Sequence, residues 1–83
     1  MTNANATTIL KILAAIELSS DDRIDQDFAV ALLEFAASEL SLGNSDEKFI
    51  LGEAVDSLLE HEELLTIEEK EFYENFMENF GLL

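Results

Sequence analysis

Eighty-three residues carry 19 Asp and Glu against four Lys and Arg, a formal net charge of −15, with 48% of residues apolar. That balance argues against nucleic acid and anionic membranes as partners and points to a basic protein surface, while the apolar fraction is too high for a disordered acidic tail. With no Cys the chain has no disulfide and no thiolate metal site, which fits a reducing, cytoplasmic setting; with no Pro and three Gly it is made for helices.

Met1 to Ala6 is polar and predicts a frayed end. A first helix is expected over 8–18, with Thr7 as its N-cap. Ile9, Ile12, Leu13 and Ile16 fall at i, i+3, i+4, i+7 and predict its buried stripe. The same stretch lacks a basic leader, and Lys11 and Glu17 interrupt its apolar run, so neither a signal peptide nor a membrane span is expected. Ser19 to Ile24 reads as a loop.

Asp25 is placed to cap a second helix over 26–42, with Asp27 in its first turn. From Phe28 to Leu40 only Glu34, Ser38 and Glu39 are polar. A helix apolar nearly all round has no face to give to water, so this one is expected at the centre of the fold. Gly43 or Asn44 is expected to end it in a left-handed conformation.

Ser45 is the expected N-cap of a third helix over 46–62, whose core face is Leu51, Val55 and Leu58 with Ile50 and Ala54. Thr66 and Glu69 have the spacing of a capping box and open a fourth helix over 67–80. Phe72, Tyr73, Phe76, Met77 and Phe80 form its apolar stripe, and Gly81 its stop. The stripe reads as core; with Leu82 and Leu83 it also offers a homodimer seam. The expected fold class is all-α: a compact, four-helix bundle-like single domain over 1–83, with the second helix buried at its centre.

Acids dominate the second half. Residues 44–83 hold twelve acids against Lys48 and Lys70. Glu53, Asp56, Glu60 and Glu63 fall at i, i+3, i+7, i+10 and predict one ridge along the third helix. Glu68, Glu71 and Glu78 follow the same ladder on the fourth, with Glu74 beside them. Neighbouring carboxylates on such a ridge stand about 5–6 Å apart. A wet outer face alone would interleave both signs for their helix pairing; a nearly unbroken single sign suits a partner of opposite charge.

Other chemistry finds little support in the residues. His61, the single His, has Leu58, Leu64 and Leu65 among its helical neighbours, and the paired Glu-x-x-His of a di-metal bundle is absent. Asp21, Asp22, Asp25 and Asp27 are dense but lack the Gly and Glu positions of an EF-hand loop. No nucleophile stands with a base, so no catalytic set, metal or cofactor is predicted. Asp56-Ser57-Leu58, preceded by Leu51-Gly52, resembles the Asp-Ser-Leu site of acyl carrier proteins, as ILKILAAIELSSDDRIDQDF resembles their first helix and loop. That resemblance implies a phosphopantetheine arm on Ser57. In that family the Ser opens a helix; here it falls inside one, and only 26 residues follow it.

The function expected from these features is a non-enzymatic acidic binding protein that occupies a basic surface of a target through the eight carboxylates above. Its sharpest form is a nucleic-acid mimic that inhibits a nuclease or DNA-binding protein, similar in composition to small phage-encoded inhibitors of restriction and CRISPR effectors. The alternatives are an immunity or antitoxin protein that neutralises a basic toxin and, of another class, a carrier modified at Ser57.

Overall fold

The first helix starts earlier than its apolar spacing predicts, because Thr2 caps it. Thr2 is extended, and its hydroxyl oxygen accepts from the Asn5 N–H at 3.1 Å. The expected cap Thr7 lies within the helix, and Ala6, expected to fray, is fully buried. In this computed structural model residues 1–83 are described, all but the side chain of Glu62. Among the described residues the chain is all-helical. The order is α1 (Asn3–Glu17), α2 (Gln26–Ser41), α3 (Ser45–Leu59), a 3-10 turn (Glu62–Leu64), α4 (Ile67–Glu74) and α5 (Phe76–Asn79). The radius of gyration is 12.5 Å, near the roughly 12 Å of one compact domain of this length.

The central helix is α1, not α2. It touches α2, α3 and α4, and its most extensive contact is with α3. Its buried residues are Ala6, Leu10, Leu13 and Ala14. Measured around the helix, that face is turned about a quarter turn from the isoleucine stripe. Ile9 and Ile16 are half-buried, and Ile12 is 55% exposed. Periodicity favours isoleucine because it is the more apolar side chain. A helix with neighbours on several sides instead turns small alanines toward them, so that the axes can approach.

Helix α2 is at the edge of the bundle. Only Ala29 is buried, and Leu33, Ala36 and Leu40 pack partly against the core. Phe28, Val30, Phe35 and Leu42 are 59%, 51%, 65% and 77% exposed. The expectation of a buried central α2 therefore fails, for an electrostatic reason. Asp27, Glu34 and Glu39 are spread over about 140° of one side of the helix at 100° per residue, and no Lys or Arg lies on α2 to pair with them. Burying an unpaired carboxylate costs several kcal/mol, so that side must face water and takes its apolar neighbours with it. Apart from Tyr73 with its phenol, no charged or polar side chain among the described residues is buried.

The remaining elements follow their local chemistry closely. The Asp25 carboxylate accepts from the Phe28 N–H at 3.1 Å, as expected of the α2 cap. Asn44, rather than Ser45, caps α3 in a reciprocal box with Glu47, at 2.9 and 3.2 Å. Gly43 does not take a left-handed conformation. It is small because a Cβ there would lie 3.2 Å from the Leu40 carbonyl oxygen. Helix α3 buries Leu51, Ala54 and Val55, with Ile50 and Leu58 partly covered, as its spacing predicts.

The Thr66–Glu69 capping box is present, at 3.1 and 2.9 Å. The predicted fourth helix is broken at Asn75 into α4 and α5. The Asn75 side chain donates to the Glu71 carbonyl at 2.9 Å, competing with the helical ladder. The aromatic stripe is core. Tyr73 and Phe76 are buried, and Phe72, Met77 and Phe80 pack against them. Phe76 and Phe80 stack at 4.3 Å, while Phe72 meets Tyr73 and Phe80 edge-on. The stripe expected to offer a homodimer seam is thus largely covered within the chain.

Gly81 ends the chain's last helix at φ +68°. Its N–H reaches the Glu78 carbonyl at 3.0 Å and the Leu82 N–H reaches Met77 at 2.8 Å, the paired bonds of a Schellman motif. The motif turns Leu82 into the core, where it is 5% exposed.

Urea denaturation distinguishes α1 from α2 as the centre. Leu10→Ala and Leu51→Ala are each expected to cost about 2–5 kcal/mol. Phe35→Ala on α2 is expected to cost less than about 0.5 kcal/mol, as at other exposed sites. Gly81→Ala is expected to cost about 1–2 kcal/mol, because an alanine at positive φ is strained.

Candidate functional site

All eight carboxylates predicted to form the binding ridges are exposed. They do not form two continuous ladders. Helix α3 ends at Leu59, so Glu60 is its C-cap and Glu63 sits in the following 3-10 turn. That turn closes with the Leu64 N–H on the His61 carbonyl at 2.9 Å. It bends the chain back so that Leu65 packs against the core. Glu68, Glu71 and Glu74 lie on α4, whereas Glu78 lies on α5 beyond the break at Asn75.

Tertiary packing gathers three of the eight around one groove. Between α3 and the α4–α5 arm runs a shallow groove of about 500 Å³. Glu53 and Asp56 line it from α3 and Glu74 from α4, and Tyr73, Met77 and Leu59 supply apolar surface. Gly52 opens its wall: a Cβ added there would first meet Met77 Cε, at 3.9 Å. Phe49, 67% exposed, stands in the same groove with Lys48. Apolar surface beside carboxylates suits a Lys or Arg side chain, whose aliphatic stem can lie on the apolar part while its head meets the acids.

Glu68 belongs to a different place. It lines a larger open cleft of about 1050 Å³, together with Lys11, Arg23, His61 and Glu69. Two of the chain's four Lys and Arg, and its one His, are therefore gathered away from the acidic groove. His61 Nδ1 also lies 4.0 Å from a Glu63 carboxylate oxygen, both side chains well exposed. At that exposure the pair contributes little to stability.

Ser57 is exposed in the last turn of α3. A phosphate-bearing arm there would meet the negative end of the helix dipole, beside Asp56 and Glu60, rather than the N-terminal end that favours phosphate. Among the described residues no group of three His, Cys, Asp or Glu is arranged to hold a metal ion. Of the loop acids expected to be dense, the Asp25 carboxylate caps α2. No helix among the described residues is long and apolar enough to cross a membrane.

Sequence reasoning missed the outer face of α2 because it assigned that helix to the interior. The available signal was the spread of Asp27, Glu34 and Glu39. It also missed the groove, whose two walls are distant in sequence and meet only through packing. No family model matches this chain, nor does any curated protein or solved structure.

Tyr73 lines both cavities. Burial raises its phenol pKa above the ordinary 10.0, and the Glu69 carboxylate adds to the shift. Both causes disfavour the phenolate in the fold, so the folded state holds this proton more tightly than the unfolded chain. The associated stability is fully present below pH 10 and is lost as pH rises through the elevated folded value. As Tyr73 is the single Tyr, phenolate absorbance reports it alone. Its midpoint is expected above 10.0 in the folded protein. Glu69→Gln, which keeps the capping geometry, is expected to lower that midpoint.

Proposed function

We propose that this chain is a non-enzymatic acidic binding protein that occupies a basic surface of a target protein. The groove between α3 and the α4–α5 arm receives Lys or Arg side chains of that surface. One observation carries this reading: Glu53, Asp56 and Glu74 converge on a groove with apolar lining, in a chain of net charge −15. Net charge steers the encounter, and the groove supplies contact at short range. The other exposed carboxylates of α3 and α4 add to the field that draws such a surface in. Where the target's basic surface is a nucleic-acid groove, the protein acts as a mimic that inhibits a nuclease or DNA-binding protein. Where the surface belongs to a basic toxin, the same contact makes an immunity protein.

The test compares two triple variants of equal charge change against the basic partner isolated with the wild-type chain. Glu53, Asp56 and Glu74 changed to Lys are expected to weaken binding about a hundredfold or more, as removal of close charge pairs does. Glu17, Asp21 and Asp22 changed to Lys are expected to weaken it less than about tenfold, since they act only through the general field. All six positions are exposed, so circular dichroism is expected to match the wild type in both variants. Equal weakening by the two triples would reduce the effect to net charge. For a target that binds DNA or RNA, this protein and the nucleic acid are expected to exclude each other. A ternary complex would place the contact outside the nucleic-acid groove.

A further inference from the structure

The acids of α2 bracket an apolar stripe that no other part of the chain covers. At about 100° per residue, Phe28, Phe35, Leu42 and Ala31 fall within about 60° of one another. Glu39 borders the stripe on one side, and Asp27 and Glu34 border it on the other. All seven are exposed, Phe28, Phe35 and Leu42 at 59%, 65% and 77%. Folding gives no reason for these side chains. They lie opposite the Ala29, Leu33, Ala36 and Leu40 side that meets the core, and polar residues there would leave that packing unchanged.

Anchors at i, i+3 and i+7 on one helix are the arrangement by which an amphipathic helix lies in a hydrophobic groove. Aromatic anchors supply most of the energy of such contacts. We propose that the outer face of α2 docks into an apolar groove edged by Lys and Arg side chains on another protein. The flanking charge selects that occupant. α2 carries three carboxylates and no base, so its rim is complementary to a basic edge. A second copy meeting it through the same face would set Asp27, Glu34 and Glu39 against the same acids, and a copy offering its Lys11 and Arg23 cleft would still bring −15 against −15. An anionic lipid surface is repelled for the same reason.

The inference rests on the reading above only for the positive sign of the partner. It adds a second face, formed by α2 rather than by α3 and α4.

The test is site-specific photo-crosslinking of the full chain in its own host cells. Benzoylphenylalanine replaces Ala31 in the α2 stripe or, separately, Asp56 in the groove. An adduct at position 31 is expected with a different protein, its attachment point bordered by Lys and Arg. In Phe28→Ser/Phe35→Ser its yield is expected to fall at least tenfold, with unchanged circular dichroism, because both side chains are exposed. Any of four results overturns the inference. These are no adduct at position 31, an adduct with a second copy of the chain, attachment to a surface lacking basic residues, and a yield insensitive to the double serine variant. An adduct at position 56 alone would leave the groove reading standing and remove this one. An adduct at position 31 alone would do the reverse.

Discussion

The fold depends on the contact between α1 and α3. The buried residues of α1 are Ala6, Leu10, Leu13 and Ala14 and those of α3 are Leu51, Ala54 and Val55, all in one core cluster, with Leu10 and Ala54 wholly covered. Alanine on both helices lets the two axes approach, and leucine fills the space between. The α4–α5 arm closes over this pair with Tyr73, Phe76 and Leu82. A chain of this length has room for one such centre. Once α1 and α3 share it, α2 can cover only a flank.

Charge determines what remains outside. Nineteen acids with four Lys and Arg leave few carboxylates able to find an internal partner, so the fold must keep them on the surface. On α2 that requirement turns the helix until its acids reach water, which exposes Phe28 and Phe35 as well. On α3 and α4 the same requirement has a different outcome. The helices meet along their apolar sides, and Glu53, Asp56 and Glu74 are left around the groove between them. Self-repulsion among these acids opposes compactness, while the carboxylates at helix starts relieve part of it. Asp25, Glu47 and Glu69 each bond a backbone N–H that would otherwise be unpaired.

Two surfaces result, and both combine apolar contact area with negative charge. The groove is a shallow concavity of about 500 Å³, whereas the α2 stripe lies on the convex outer side of its helix. A basic partner can meet either without the desolvation of unpaired charge that would penalise an acidic or neutral one. The acids of the groove and the outer side chains of α2 are exposed and lie outside the core, so they can be changed without unfolding the domain.

The amino-acid sequence by itself determined the helical class, the sign of the charge and several local caps. Those features arise from interactions within a few residues. Thr66 and Glu69 bond across three positions, Asp25 reaches the third residue beyond it, and Gly81 takes a conformation that other residues resist. Tertiary structure alone decided which helix is central and which carboxylates stand together. Apolar content measures how much surface a helix offers for burial but not whether neighbours exist to cover it. The run from Phe28 to Leu40 therefore overstated the burial of α2, and the Ala6–Ala14 face of α1, less apolar by composition, became the centre because small residues permit close approach. Glu53 and Glu74 are remote in sequence, and no helical periodicity relates them. They line one groove because the turn at Glu62–Leu64 folds α4 back along α3.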